Sequence, residues 1–396
     1  MHKKSLLIIF LVVFIDLVGF GMVIPILPYY AKSFGASATT LGWLMMCYSG
    51  MQFLFSPFWG SLSDRLGRRP ILLSSIFGIG ASMLILGSAK SLIWLFAGRI
   101  FAGFFGANIS TASAYIADVT PPEGRAKGMG MIGAAFGLGF LFGPALGGIL
   151  SQWGYGTVAY VAAGLSLFNF IFALFVLQEP NITAEERKSH RNRFNKHLWI
   201  KTISDPKTGL AIFLFFCVTF AFAQLETTFA LLVLERFGLD AKHAGEILAL
   251  MALVMVFIQG GAIGKLVKKY GEVKLVMLGT IIMACALTAA SISYQLPWFV
   301  AALMVQALGF AVTNPSLSSI TSRNASADHQ GSTMGVYQSA GSLARVLGPL
   351  LAGFLFDHFG SKVPFLNASG IFLLCFMLAL SFGSKIKPAL SSVASH

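Results

Sequence analysis

The chain has 396 residues, of which 56% are hydrophobic and 11% charged, and a mean hydropathy of +0.78. Soluble domains average about 25% charged residues, so a water-soluble globular protein is excluded. The net charge of +13 suggests nucleic acid only until the charges are placed along the chain.

Apolar stretches of the ~20 residues needed to cross a bilayer core occur twelve times, at roughly 5–27, 40–60, 71–90, 92–117, 128–150, 157–178, 209–234, 243–264, 274–294, 297–321, 331–355 and 364–384. None alternates with the two-residue period of a barrel strand. The first follows a basic start and resembles a signal peptide, but it continues through Asp16 to Pro25 with no small-residue cleavage site, so it is expected to be an uncleaved first helix. The second runs into GSLSDRLGRRP at 60–70, the fourth contains Arg99, and the fifth is rich in glycine. Glu179-Pro180 ends the sixth and opens a polar linker, 179–208, in which Phe194, Leu198 and Trp199 would lie on lipid. The seventh contains Glu226 and the eleventh Arg345. The expected fold is therefore an all-α polytopic membrane protein with twelve transmembrane helices, six in 1–178 and six in 209–396.

Of the 28 Lys and Arg residues, 21 fall in the N-terminus, 61–70, 119–127, 179–208, 265–274, 323–330 and the C-terminal tail. The alternate loops hold five, Lys32, Lys90, Arg236, Lys242 and Lys362, and two lie inside spans. Positive residues stay on the cytoplasmic side, so both termini are expected there. The basic balance then reports orientation and contact with anionic lipid, not nucleic acid. Cys47, Cys217, Cys285 and Cys375 all sit in spans, so no disulfide framework is implied.

The halves are related. GSLSDRLGRRP at 60–70 aligns with GKLVKKYGEVK at 264–274, an offset of 204. MGMIGAAFGLGFLFGPALGGIL at 129–150 aligns with MGVYQSAGSLARVLGPLLAGFL at 334–355, an offset of 205. Parallel six-helix repeats are a transporter architecture, because two similar bundles can rock about a midplane site.

An ionisable group inside the membrane costs at least ~2.5–3.5 kcal/mol, so it is expected to face a cavity or a partner. Four lie well inside: Asp16, Arg99, Glu226 and Arg345. A carboxylate that feels both burial and a nearby guanidinium is tuned to bind and release a proton. Glu226 and Arg345 stand in the same half, as a proton site with its partner, as a site where Arg345 holds an anionic group, or as a static ion pair. No histidine lies in the interior of a span, His243 standing at the very start of the eighth, so any proton carrier is a carboxylate. In the loop at 60–70, Gly60 and Gly67 permit close approach, and Asp64 is expected near the N-terminus of another helix. One of Arg65, Arg68 and Arg69 would pair with Asp118, and the whole would act as an inner latch; a plain positive-inside loop is the alternative. Gly139, Gly143 and Gly147 form a small-residue face, and Pro144 adds a kink, which suits a hinge or seal as well as ordinary packing. Gln52, Asn108, Gln224, Gln259, Gln306, Asn314 and Gln338 are the polar residues expected to line a cavity.

These motifs resemble the major facilitator superfamily, and within it the twelve-helix drug:proton antiporters that include the tetracycline efflux proteins. GSLSDRLGRRP is similar to that superfamily's loop signature, DLVGFGMVIPILP at 16–28 to the antiporters' first-helix motif, LFAGRIFAGFFGA at 95–107 to their fourth-helix motif and GLGFLFGPALGG at 137–148 to their fifth. The resemblance implies two pseudo-symmetric six-helix bundles, alternating access, and proton coupling through Asp16 and Arg99. It also implies export of an amphipathic organic compound or drug in exchange for protons, in a bacterial plasma membrane. No cofactor or metal is expected, and a monomer is. Two departures bear on this. The third and ninth spans contain no acid, unlike the tetracycline exporters, which counts against a metal–tetracycline chelate, and Lys268 stands where the second repeat would place the counterpart of Asp64. A proton-coupled carrier of a sugar, amino acid or lipid-like anion is the alternative. A membrane enzyme or sensor is a more distant one, lacking a metal set or a nucleophile with its base.

Overall fold

The structure, a computed structural model, describes residues 2–106, 108–120, 125–180, 202–325 and 330–385. The amphipathic stretch expected around Phe194, Leu198 and Trp199 lies outside these. The helices are α1 His2–Ser33, α2 Ala38–Leu66, α3 Arg68–Gly87, α4 Leu92–Phe105, α5 Asn108–Val119, α6 Arg125–Leu150, α7 Tyr155–Val176, α8 Thr208–Phe237, α9 Ala241–Phe257, α10 Ile263–Tyr270, α11 Glu272–Ile292, α12 Leu296–Asn324, α13 Gln330–Phe359 and α14 Val363–Lys385. No strand occurs among the described residues.

Eleven helical stretches are long and apolar enough to cross a membrane, with α4 and α5 counted together, as are α9 and α10. The remaining expected span is α2. It has 29 residues, enough to cross, but Ser49, Gly50, Gln52, Ser56 and Pro57 dilute its apolar character. The fourth span is interrupted where a continuous helix was expected: α4 stops at Gly106, and the Gln52 side chain donates to the Gly106 carbonyl at 2.8 Å. That bond satisfies a carbonyl that a broken helix would leave exposed in an apolar medium. The eighth span is interrupted by a π turn, Ile258–Ala262, between α9 and α10.

Within the first half, α1 packs along α6 and α7, and α3 along α4 and α7. Within the second, α8 packs on α13 and α14, and α11 on α12 and α14. Across the halves the principal contacts are α2 with α13 and α6 with α9. In these two seams, Gly42 of α2 abuts the Pro349 carbonyl of α13, and Gly245 of α9 abuts the Pro144 carbonyl of α6. Gly353 abuts Ala38, and a Cβ on Gly148 would lie 2.9 Å from the Lys242 carbonyl and 3.2 Å from that of Ala241. The pairs are copies of one another: Gly42 and Gly245 are 203 residues apart, Pro144 and Pro349 are 205, and Gly148 and Gly353 are 205. Both seams lie at the end away from the basic loops. At the basic end, Gly60, Gly130, Gly133, Gly264 and Gly335 meet no described atom within 4 Å. Among the described residues the molecule is closed at one end and open at the other.

The closed end is also hydrogen-bonded across the halves. Tyr29 donates to the Leu239 carbonyl at 3.1 Å. Asp357, near the end of α13, accepts from the Ala38 and Thr39 amides at 3.0 and 2.7 Å, so it caps α2 from the opposite half. Helix N-termini attract carboxylates through their unpaired amides and dipole. Asp357→Ala is expected to cost the closed end about 1 kcal/mol, the usual price of a lost cap. Cysteine-labelling rates at the closed end should rise severalfold. By contrast, α9 is capped locally: Asp240 accepts from the His243 amide at 3.1 Å. Burial pushes the Asp240 carboxyl up, but hydrogen bonds from His243 and Lys242 hold it below the usual carboxylate range. This cap is complete above the ordinary carboxylate pKa and is lost as pH falls through the lowered one. Protection of the His243 amide, measured against its intrinsic exchange rate at each pH, should therefore persist at pH 7 and be lost only in strong acid.

Candidate transport site

The ionisable residues expected inside the spans converge between the halves. Asp16 on α1 is 5% exposed and Arg99 on α4 is 4% exposed. The Arg99 guanidinium lies 4.2 Å from the centroid of the Tyr48 ring and 5.9 Å from that of Phe20. Its Nε is buried without a hydrogen-bond partner among the described residues. Arg99 is thus sheathed by aromatic faces, an arrangement that offsets part of the desolvation of a buried cation. Tyr48 is close enough to Asp16, Arg99 and Arg345 to interact electrostatically with all three. From the other half, Glu226 on α8 lies within electrostatic reach of both Arg345 and Arg99.

Glu226 and Arg345 form no ion pair within 4.0 Å. The one hydrogen bond of Arg345 among the described residues is to the Ser342 hydroxyl at 3.4 Å. Both side chains are half-buried. Tyr48 was not singled out from the sequence, because nothing in a lone mid-span tyrosine marks it. The available signal was its one-turn spacing from Gln52, which places both on one face of α2.

The glycine face of α6 packs on α1. A Cβ on Gly139 would lie 2.6 Å from the Leu17 Cβ, one on Gly143 would lie 2.7 Å from the Gly21 Cα, and Gly147 abuts the Met22 carbonyl. The adjoining face, with Pro144 and Gly148, carries the seam to α9. One helix therefore serves two contacts, a fixed one within its half and a second across the halves.

At the basic end, Arg68 is the arginine that pairs with Asp118, Nε to Oδ2 at 2.7 Å. It also pairs with Asp64 at 2.6 Å and donates to the Ser63 hydroxyl at 2.6 Å. Arg69 instead donates to the Leu174 carbonyl at 2.6 Å, and Arg65 is exposed. The sequence suggested that Asp64 sits against a helix N-terminus. In the structure that position belongs to Glu179, which accepts from the Arg68 and Arg69 amides at 2.7 and 2.8 Å and caps α3. Gly67, at φ +106°, separates α2 from α3, and a Cβ there would meet the Glu179 carboxylate at 2.6 Å. From the sequence Glu179 marks only the end of the sixth span; its part in the loop at 60–70 bridges over a hundred residues and leaves no local trace.

The polar residues expected to line a cavity divide. Gln338 is exposed, Gln52, Gln259 and Asn314 are half-buried, and the Asn108 side chain lies outside the described residues. Gln224 and Gln306 are fully buried in helix packing, and Gln224 accepts from Asn367 of α14 at 2.8 Å.

Two related sets of apolar spans, with ionisable groups from both sets gathered between them, define a multi-pass integral membrane protein of the secondary transporter class. The sequence profile of the Major Facilitator Superfamily matches residues 9–271 and 260–393. The chain is 32% identical to the class E tetracycline resistance protein of Escherichia coli over 362 residues, covering 90% of this chain and 88% of that protein. It is 30% identical to multidrug resistance protein 2 of Bacillus subtilis (strain 168) over 395 residues, covering 97% and 96%. Among solved structures, the human organic anion transporter MFSD10 superposes with a TM-score of 0.72 at 26% identity, covering 96% of this chain and 99% of that one. The chain belongs to the Major Facilitator Superfamily.

Proposed function

We propose that this transporter exports an amphipathic organic compound in exchange for protons. Residues 1–178 and 209–396 would rock about the site, with both termini on the cytoplasmic side of a bacterial plasma membrane. The observation that carries the reading is that Asp16, Arg99 and Arg345 all lie within electrostatic reach of Tyr48, and Glu226 within reach of Arg345 and Arg99, so that ionisable groups from both halves meet. Retaining four charges there is too costly without a task. Asp16 and Glu226 are the proton carriers, Arg99 and Arg345 the cations that set their ionisation, and Asp64 with Arg68 the latch of the basic end. The names of the relatives, tetracycline and multidrug resistance proteins, support export of an organic compound. The orientation rests on the 21 basic residues of one set of segments against five in the alternate loops.

The test is flux of tetracycline and ethidium in proteoliposomes with an internal pH dye. The native protein is expected to couple flux to protons, and Asp16→Asn, Glu226→Gln and Arg345→Ala to uncouple it by at least tenfold. If all three variants couple normally, the site assignment is wrong.

A second reading, carriage of an organic anion, is favoured by Arg345, whose one hydrogen bond among the described residues is long, and by the likeness to MFSD10, an organic anion transporter. The two differ in sign. An anion seated at Arg345 removes the counter-charge of Glu226, so anion and proton bind together and binding takes up a proton. A compound carried in exchange releases one. Weakly buffered calorimetry separates them.

A further inference from the structure

A fully buried amide of the first half keeps its oxygen uncommitted. Asn169 stands on the inward face of α7, among alanines, Val158 and Ser166. It is 0% exposed, and an amide costs more to bury than the alanines around it. Its Nδ2 donates to the Val12 carbonyl of α1 at 2.9 Å. A carbonyl only accepts, which fixes the orientation of the amide. Its Oδ1 is then the spare atom, buried and without a hydrogen-bond partner among the described residues. Val12 is one turn before Asp16. Side chains in a helix lean toward its N-terminus, so the Asp16 carboxyl lies over the turn of Val12. The same reach is visible elsewhere in the protein: Thr227, Thr228 and Thr313 each bond the carbonyl four residues back, at 2.7, 2.8 and 2.8 Å. A group seated on the Val12 carbonyl therefore sits beside the Asp16 side chain. One turn further along α1, the neighbour is again α7: a Cβ on Gly19 would lie 3.8 Å from the Ala162 carbonyl and 3.9 Å from the Ser166 Oγ. Val12, Asp16 and Gly19 share one stripe of α1. Asp16 thus faces α7 between the levels of Asn169 and Ser166.

We infer that Asn169 is the positioning residue of the Asp16 proton site, its Oδ1 accepting the Asp16 hydroxyl whenever that carboxyl carries a proton. A carboxylic acid in an apolar interior needs an acceptor for its hydroxyl. The Asn169 Oδ1 is an acceptor only, so it holds the acid and repels the carboxylate. The ionised carboxyl instead has Tyr48 of α2 within electrostatic reach, and the Arg99 cation stands over that ring. Asp16 therefore has a neighbour suited to each protonation state, on different helices. The other ionisable groups on the helices packed against α1 lie elsewhere. On α7 they are Tyr155 and Tyr160, toward the closed end, and on α6 Arg125 and Lys127, at its start. On α9, Lys242, His243 and Glu246 stand at the closed end. On α5, Tyr115 is bonded to the Gln178 carbonyl and Asp118 is paired with Arg68 at the basic end. On α8, Glu226 lies within reach of Arg99 and Arg345. The inference rests on Asp16 being a proton carrier, as proposed above, and adds how its protonated form is held.

The test is infrared titration of the full chain in lipid nanodiscs. A protonated carboxyl shows a C=O stretch clear of the amide bands, and Asp16→Asn identifies the Asp16 band by removing it. Asn169→Leu keeps the shape of the side chain and loses the acceptor. In that variant the band is expected at higher wavenumber, as for an acid relieved of a hydrogen bond. Proton binding at Asp16 should weaken about tenfold, the scale of one hydrogen bond, so the band should appear about one pH unit further toward acid. Asn169→Val should act in the same sense. A single interhelical bond contributes modestly in lipid, so both variants are expected to fold. Ser82→Ala removes another fully buried polar group of the first half, one bonded within its own helix to the Ile79 carbonyl, and should move neither the band nor its midpoint. A purely structural Asn169 would lower the melting temperature and leave the band in place. The inference is overturned if both Asn169 variants keep the native band and midpoint, or if Ser82→Ala moves them as much. It is also overturned if the midpoint moves toward alkali, which would make Asn169 a donor to the carboxylate. Its failure is separable from that of the proton reading. If Asp16→Asn removes no titrating band, the proton reading falls and this inference with it; if it removes one that the Asn169 variants leave unmoved, this inference alone falls.

Discussion

Gly42→Ala and Gly245→Ala are each expected to drive the transporter out of the state closed at the end away from the basic loops. Gly147→Ala is expected instead to damage the fold. All three glycines abut a backbone carbonyl closely enough that a Cβ would overlap it: Pro349 for Gly42, Pro144 for Gly245 and Met22 for Gly147. A backbone cannot yield as a flexible side chain can, and overpacking of this kind costs typically 1–3 kcal/mol. The difference lies in where the strain can go. The contacts of Gly42 and Gly245 join the two halves, which can separate, so the strain becomes a shift of roughly 5- to 150-fold in a conformational equilibrium. The contact of Gly147 joins α6 to α1 within one half, where no rearrangement relieves it. Distances between spin labels at Lys90 and Gln295, both exposed near the closed end, should lengthen in the first two variants with melting temperature nearly unchanged. In Gly147→Ala the melting temperature should fall. Gly133→Ala is the control: no described atom lies within 4 Å, so neither quantity should move, apart from a small gain in helix propensity.

Gly42 and Gly245 also mark the limit of what the sequence records. The repeat was legible as a near-constant offset, and the twelve spans were legible because a bilayer demands long apolar runs. The pairing of Gly42 with Pro349 and of Gly245 with Pro144 obeys that same offset, but an offset says which residues are equivalent and not which touch. Asp16, Arg99, Glu226 and Arg345 stood out because charge in an apolar run is costly wherever it points. Tyr48 and Phe20 did not, because an aromatic in a span fits lipid, core or cation equally well. Gln224 and Gln306 went the other way: polarity alone does not distinguish a side chain facing open space from one bonded to a neighbouring helix, as Gln224 is to Asn367. Which end is open depends on how the two halves are set against each other. Composition is the same in either setting, so nothing local records it.

Asp118→Ala is expected to destabilise the first half by about 1–3 kcal/mol, the usual consequence of leaving a buried polar group short of one partner, because Arg68 keeps Asp64 and Ser63, whereas Asp64→Ala is expected to leave its stability nearly unchanged. Both carboxylates hold Arg68, and both bonds are short, at 2.7 and 2.6 Å. Burial separates them. The Asp118 and Arg68 side chains are 3% and 7% exposed, so neither has water to fall back on, while that of Asp64 is 30% exposed. An ion pair with such access to solvent contributes on the order of 0–1 kcal/mol. Asp64 is therefore poorly explained as a structural bond and better explained by a contact made in another state, in which the basic end closes and the open faces at Gly60 and Gly335 come together. Asp118 fixes Arg68 in place, and Asp64 is the member left with the freedom to change partner. The two substitutions should then split cleanly between two assays. Asp118→Ala should lower the melting temperature of the purified protein and its yield in the membrane. Asp64→Ala should melt like the native protein and yet lose coupled flux in proteoliposomes. If Asp64→Ala transports normally, its place in the latch is lost and the loop at 60–70 reduces to topology.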